Sequence, residues 1–172
     1  MNLDSIIRLL RIKLLVRNGL RLGKNVYIGE NVSIDPHFCW LISIGNDCIL
    51  GDRAVILAHD ASTSIHLNNI KIGKVVIGNR TFIGANSVIL PNVRIGDDVI
   101  IGAGSVVTHD IPNGFLASGN PARVIKPTSE YVKFHELNLK THSVSHKTKQ
   151  EILEMFDKQI VYLSSKGKMH PN

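Results

Sequence analysis

Aliphatic residues recur at every sixth position through the middle of the chain. Ile77, Ile83, Ile89, Ile95, Ile101 and Val107 stand in unbroken register. Glycine follows four of the six (Gly78, Gly84, Gly96, Gly102), and four positions after each aliphatic comes Thr81, Ser87, Val93, Val99, Ser105 or Ile111, all small or β-branched. An earlier block keeps the spacing through Leu22, Ile28 and Ile34, takes ten residues to reach Ile44, and resumes with Leu50 and Ile56. A period of six fits neither an amphipathic helix nor a long strand. It predicts a parallel β-helix of hexapeptides, each a short strand and a turn, with the aliphatic inward and the glycine letting the backbone turn. Three hexads close a coil, so Ile77 should stack on Ile95, Ile83 on Ile101 and Ile89 on Val107. Twelve hexads make about four coils.

A coil has open ends, and its flanks have the pattern of caps. Leu3, Ile7, Leu10 and Leu14 form one helical stripe. Near the other end, Thr148 and Glu151 have the spacing of a capping box ahead of a second stripe, Ile152, Phe156, Ile160 and Leu163. Residues 135–147 read as a loose polar connection between coil and helix. The expected organisation is an amphipathic helix over 1–20, a β-helix over 21–126 and a helical extension over 127–172.

The repeat is broken once more, by a loop over 57–76. It opens LAHDASTSIH and carries His59 and His66. A tightly wound coil presents backbone and small side chains, so polar chemistry must come from an excursion of this kind.

Composition changes the picture in three ways. Apolar residues are 44% of the chain but aromatics only 5%, which predicts a core of small aliphatics. No apolar run is long enough to cross a membrane and no cleavable leader is evident, so a cytoplasmic protein with Cys39 and Cys48 reduced in the core is expected. The net charge of +6 lies in the flanks: residues 1–24 hold six basic residues against Asp4, and residues 127–172 hold seven against five acidic ones. A folded basic face for nucleic acid is therefore not expected. The basic, apolar stripe of residues 1–20 suits either peripheral contact with the inner face of a membrane or, more plainly, a cap on the coil.

The stretch IGANSVILPNVRIGDDVIIGAGSVVTHDIPNGFLASGNPARVI resembles the hexapeptide-repeat acyltransferases, and within them the maltose and galactoside O-acetyltransferases and the enzymes that acetylate sugars of surface polysaccharides. The resemblance spans about residues 22–126. It implies a left-handed coil, a homotrimer, and acetyl-CoA bound as co-substrate in grooves between subunits, with no metal. It also makes His59 the catalytic base. Asp60 is the candidate to orient the imidazole, or else a turn residue. His66 and Phe82 are candidates for acceptor contact. Gly84, Ala85 and Ala103 should lie along the pantetheine groove, or serve only the turns. Arg123 and Lys126, after the GNPA turn, are candidates for the CoA phosphates, or for solvated surface. Many relatives carry tryptophan in place of Phe82 and lysine in place of His109.

The expected function is transfer of acetyl from acetyl-CoA to a sugar hydroxyl. The alternatives are N-acylation of an amino sugar, a metal-dependent lyase built on His37, His59 and His66, and a non-catalytic scaffold.

Overall fold

The computed structural model describes residues 3–139. Helix α1 (Leu3–Arg17) leads into a first coil of β1 (Arg21–Leu22), β2 (Tyr27–Ile28) and β3 (Ser33–Ile34). A 3-10 turn (Cys39–Leu41) precedes the second coil, β4 (Ile42–Ile44), β5 (Ile49–Leu50) and β6 (Val55–Ile56). The loop contributes β7 (His59–Asp60), α2 (Ser64–Leu67) and β8 (Lys71–Ile72). Two further coils follow: β9 (Val75–Ile77), β10 (Phe82–Ile83) and β11 (Val88–Ile89), then β12 (Val93–Ile95), β13 (Ile100–Ile101) and β14 (Val106–Val107). A hairpin of β15 (Phe115–Gly119) and β16 (Ala122–Pro127) ends the stack, and α3 (Thr128–Leu139) follows. The chain divides into two compact units, residues 2–129 and the part from Glu130 onward.

Strands from successive coils form three sheets, one per face: β1-β4-β9-β12, β2-β5-β10-β13-β15-β16 and β3-β6-β11-β14. For brevity these are the first, second and third faces. All pairings in them are parallel except β15 with β16. The register places Ile77 beside Ile95, Ile83 beside Ile101 and Ile89 beside Val107, as the period of six requires. The interior is a column of these aliphatics, fully buried. Cys39 and Cys48 are free and buried with them. The hydroxyls of Thr81, Ser87 and Ser105 are buried too, and each donates to a carbonyl, at Gly96 (2.8 Å), Gly102 (3.0 Å) and Gly102 (2.6 Å).

The glycines do a different job from the one their position suggests. Those that follow the aliphatics do not adopt positive φ. They stand where the next coil passes: a Cβ on Gly51 would meet the Ala85 nitrogen at 2.7 Å, and one on Gly45 the Gly78 carbonyl carbon at 2.7 Å. The left-handed turn comes two residues later and is taken mostly by Asn, Asp or Arg: Asn25, Asn31, Asp47, Arg53, Arg80, Asn86 and Asp98 have φ between 51° and 58°. Asn and Asp tolerate this region because their short polar side chains bond locally. Glycine is needed for close approach of backbones, not for the turn.

Helix α1 also docks differently. Leu15 is buried and Ile12 packs against the core, whereas Ile7, Leu10 and Leu14 face solvent. The stripe expected to cap the coil is turned away from it, because the end of the coil receives the Ile12–Leu15 side. Residues 135–139, expected in a loose connection, continue α3; Glu130 in its first turn favours the start of that helix. The capping pattern at Thr148 and Glu151 and the stripe beyond it lie outside the described residues. No helix among the described residues is long and apolar enough to cross a membrane.

Candidate active site

Both interruptions of the repeat leave the coil at one corner. The ten-residue gap begins after Ile34 and the loop begins after Ile56, and these two residues are register partners on the third face. Asp35 and Ala58 are therefore neighbours on adjacent coils.

Asp35 begins an Asx turn ahead of Pro36. Its Oδ1 accepts the N–H groups of His37 (3.0 Å) and Phe38 (3.2 Å), its Oδ2 accepts that of Ala58 (3.1 Å), and its own N–H donates to the Ile56 carbonyl. The side chain is fully buried. Oδ2 also takes a hydrogen bond from Nδ1 of His59. Burial alone would raise the Asp35 pKa. The bonds from His59, Ala58, Phe38 and His37 outweigh it and hold the carboxyl below its ordinary value.

An ionised carboxylate only accepts hydrogen bonds. Nδ1 of His59 must therefore carry the proton it donates, so in the neutral ring the lone pair is on Nε2. The arrangement fixes tautomer and orientation, and it offers a negative partner for an imidazolium once a proton is taken up. His59 is 29% exposed, so the ring is held without being sealed. The β7–β8 pairing supports it from the other side, with His59 opposite Ile72 and the Gly73 N–H donating to the Ala58 carbonyl at 2.9 Å. Phe38 lies 5.3 Å from the imidazole centroid, and Trp40, half exposed, lies 5.3 Å from Phe38. His37 meets the imidazole edge-on at 6.4 Å.

Asp60 does not orient His59. Successive strand residues point to opposite faces, and the Asp60 carboxylate instead meets Lys71 across the hairpin at 2.6 Å and accepts the Ser62 N–H at 2.8 Å. Those bonds hold its pKa well below the ordinary carboxylate range. His66 lies exposed on α2.

The remaining predicted residues gather elsewhere. Phe82 is on β10 in the second face, partly exposed. Gly84 and Ala85 follow β10, and Ala103 follows β13 on the next coil, so they stack at the corner after the second face. Arg123 and Lys126 lie on β16, hydrogen-bonded to β15 at the end of the same sheet. The predicted CoA residues thus share one face and its corner, while His59 stands at the corner after the third face. Among the described residues no group of three His, Cys, Asp or Glu side chains is set to hold a metal.

Residues 74–109 match the family model described as bacterial transferase hexapeptide (six repeats). The chain carries the hexapeptide repeat of the bacterial transferases and resembles the hexapeptide-repeat acyltransferases, with the left-handed parallel β-helix of that fold and short flanking helices. It is 39% identical over 111 residues to YvoF of Bacillus subtilis (strain 168), whose naming as an acetyltransferase is itself provisional; the match covers 64% of this chain and 62% of YvoF. Among solved structures it is similar to the polySia-specific acetyltransferase NeuO, at 28% identity and a TM-score of 0.54, over 62% of this chain and 51% of that one. It is also similar to a galactoside acetyltransferase solved in complex with coenzyme A, at 25% identity and a TM-score of 0.54, over 73% and 82% of the two chains. The chain therefore spans less than two thirds of YvoF and about half of the NeuO chain.

Proposed function

We propose that the protein is an acetyl-CoA-dependent acetyltransferase acting on a sugar hydroxyl of a glycan, in the cytoplasm. The observation that carries this is the buried, ionised Asp35 holding Nδ1 of His59 where two breaks in the coil coincide. The similarity to a galactoside acetyltransferase and a polysialic-acid acetyltransferase supports the acceptor class.

In this reading Nε2 of His59 takes the hydroxyl proton as the acceptor oxygen attacks the thioester carbonyl carbon. Asp35 stabilises the imidazolium. Collapse of the tetrahedral oxyanion breaks the C–S bond, and the imidazolium returns its proton to the departing sulfur. The products are an O-acetyl sugar and free CoA. The crowded glycine corner after the second face suits a thin pantetheine arm, and Arg123 and Lys126 on that sheet suit its phosphates. His66 and Phe82 are the residues for acceptor contact.

The His59 corner and the CoA corner are separated by a whole face of one chain. A homotrimer would join one protomer's His59 corner to its neighbour's CoA corner. The loop supports such contact, since Ile65 is 91% exposed and Leu67 64%. Light scattering should give three times the chain mass.

The deciding experiment incubates the protein with acetyl-CoA and a panel of sugars and amino sugars, and follows thiol release. Release dependent on a hydroxyl acceptor is expected. Release only with amino sugars would replace O-transfer by N-transfer. No release with any acceptor would end the reading.

A further inference from the structure

Helix α1 has two apolar sides, and the coil uses only one. At roughly 100° per residue, Ile12 and Leu15 project together toward the core. Ile7, Leu10 and Leu14 project from the far side, and they are 55%, 59% and 56% exposed. Ile6, Leu9 and Val16 are exposed as well (37%, 46% and 45%), but they lie outside this strip, on the side beyond Arg17. A cap needs the Ile12–Leu15 side alone. A solvent-facing apolar strip on a helix already docked is a binding feature in its own right.

The charges around the strip select its partner. On the helical wheel Lys13 and Arg17 fall along one margin and Arg11 along the other, and all three are exposed. Arg21 and Lys24, just beyond the helix, are exposed as well. An apolar strip between basic margins matches a bilayer surface rich in anionic headgroups: the aliphatics enter the acyl boundary while the cations stay at headgroup level. A second copy of this chain is a poorer match, because it would bring the same cations against themselves.

We propose that α1 is a two-sided helix, seated on the coil through Ile12 and Leu15 and laid on an anionic membrane surface through Ile7, Leu10 and Leu14. This is independent of the acyl-transfer reading. It would stand for a protein with no such activity, and its failure would leave that reading untouched.

The test is co-sedimentation of the full-length chain with phosphatidylcholine vesicles, with and without phosphatidylserine. Association at least about tenfold stronger with the anionic vesicles is expected, falling as salt is raised. Leu10→Gln with Leu14→Gln should abolish it, and so should Lys13→Glu with Arg17→Glu. Both pairs should keep the melting temperature and the light-scattering mass of the parent, since neither touches the Ile12–Leu15 side. No preference for anionic vesicles overturns the proposal. Binding that survives both double variants also overturns it, by placing the contact elsewhere on the chain. A change of oligomeric mass in the leucine variant overturns it too, by showing that a second copy covers the strip.

Discussion

Two corners of the coil use side-chain oxygens in the same way and to different ends. At the corner after the first face, Asn46 Oδ1 accepts the Lys24 N–H (2.8 Å), Asn79 Oδ1 that of Asn46 (2.9 Å), Asp97 Oδ1 that of Asn79 (2.6 Å) and Asn113 Oδ1 that of Asp97 (3.0 Å). It is a ladder that staples each coil to the next. At the corner after the third face, Asp35 accepts three backbone N–H groups on the same principle and keeps one lone pair for His59. The second corner is the first with its repeat interrupted. The extra chain supplies the imidazole, and burial of the carboxylate gives it a fixed partner. A staple and a dyad differ here by one side chain placed opposite.

The hardest way to break this comparison is to remove what distinguishes the second corner. His59→Ala should lose about two to four orders of magnitude in turnover, the usual range for a positioned base. Acetyl-CoA affinity should hardly move, because the ring is not at the CoA corner, while melting temperature should fall by a few degrees, because the buried Asp35 carboxylate loses the bond from Nδ1. Single-turnover thiol release separates these quantities. Equal turnover in a folded variant would reduce the dyad to a structural bond.

Asp35→Asn tests both functions of the carboxylate at once. The amide can still accept from His37 and Phe38, but its NH2 would face Nδ1 and the Ala58 N–H. The imidazole must then present a lone pair to the amide and carry its proton on Nε2, where it cannot serve as a base. Turnover should fall about 10- to 1000-fold. The unpaired Ala58 N–H should cost about 1–3 kcal/mol of stability. The pH dependence has a definite sign. Folded Asp35 titrates below its ordinary value of 3.8, so its contribution is complete above that value and is lost as pH falls through the lower, folded one. The gap in melting temperature between wild type and Asp35→Asn should be constant near neutrality and close below about pH 4. A gap that widens on acidification would contradict the ionised state.

The coil was legible in advance and the dyad only in part, for one physical reason. Stacking is set by a local period, so Ile77 over Ile95 can be counted along the chain. The dyad is set by a register across 24 residues, and only the coil brings its halves together. Adjacency in sequence pointed to Asp60. The usable signal was the ten-residue gap after Ile34, which begins one coil below the break after Ile56; two interruptions at equivalent positions must emerge side by side. The roles of the glycines and of α1 were hidden differently. Both depend on which atoms approach from another coil, and a pattern of residue types does not carry that.

Asn79→Ala attacks the first corner instead. It removes the acceptor for the Asn46 N–H and a 3.1 Å bond to Asp97, at a half-buried site. A loss of about 1 kcal/mol is expected, a shift of a few degrees in melting temperature. Turnover of the folded protein should be unchanged. A large loss of turnover would mean that the two corners are coupled through the coil and are not the separate staple and dyad described.

The finest distinction lies between two aspartates close to His59. Asp60 is its neighbour in sequence, and its pKa is held down by the side-chain bond to Lys71 and then by the Ser62 N–H. The pair is open to solvent, where an ion pair gains little over its hydrated partners. Asp60→Asn keeps an acceptor for Ser62 and only discharges the pair. It should leave turnover within about twofold of wild type and the melting temperature nearly where it was. Folded Asp60 also titrates below its ordinary value, so any contribution it makes fades in acid, as for Asp35; solvent screening should make that fading hard to detect. The measurement is the ratio of turnover losses in the two Asp→Asn variants at neutral pH. A ratio strongly in favour of Asp35 means that the register across coils builds the site. A ratio near one, with both variants folded, would mean that the hairpin holds His59 by itself, and that Asp35 is one more staple.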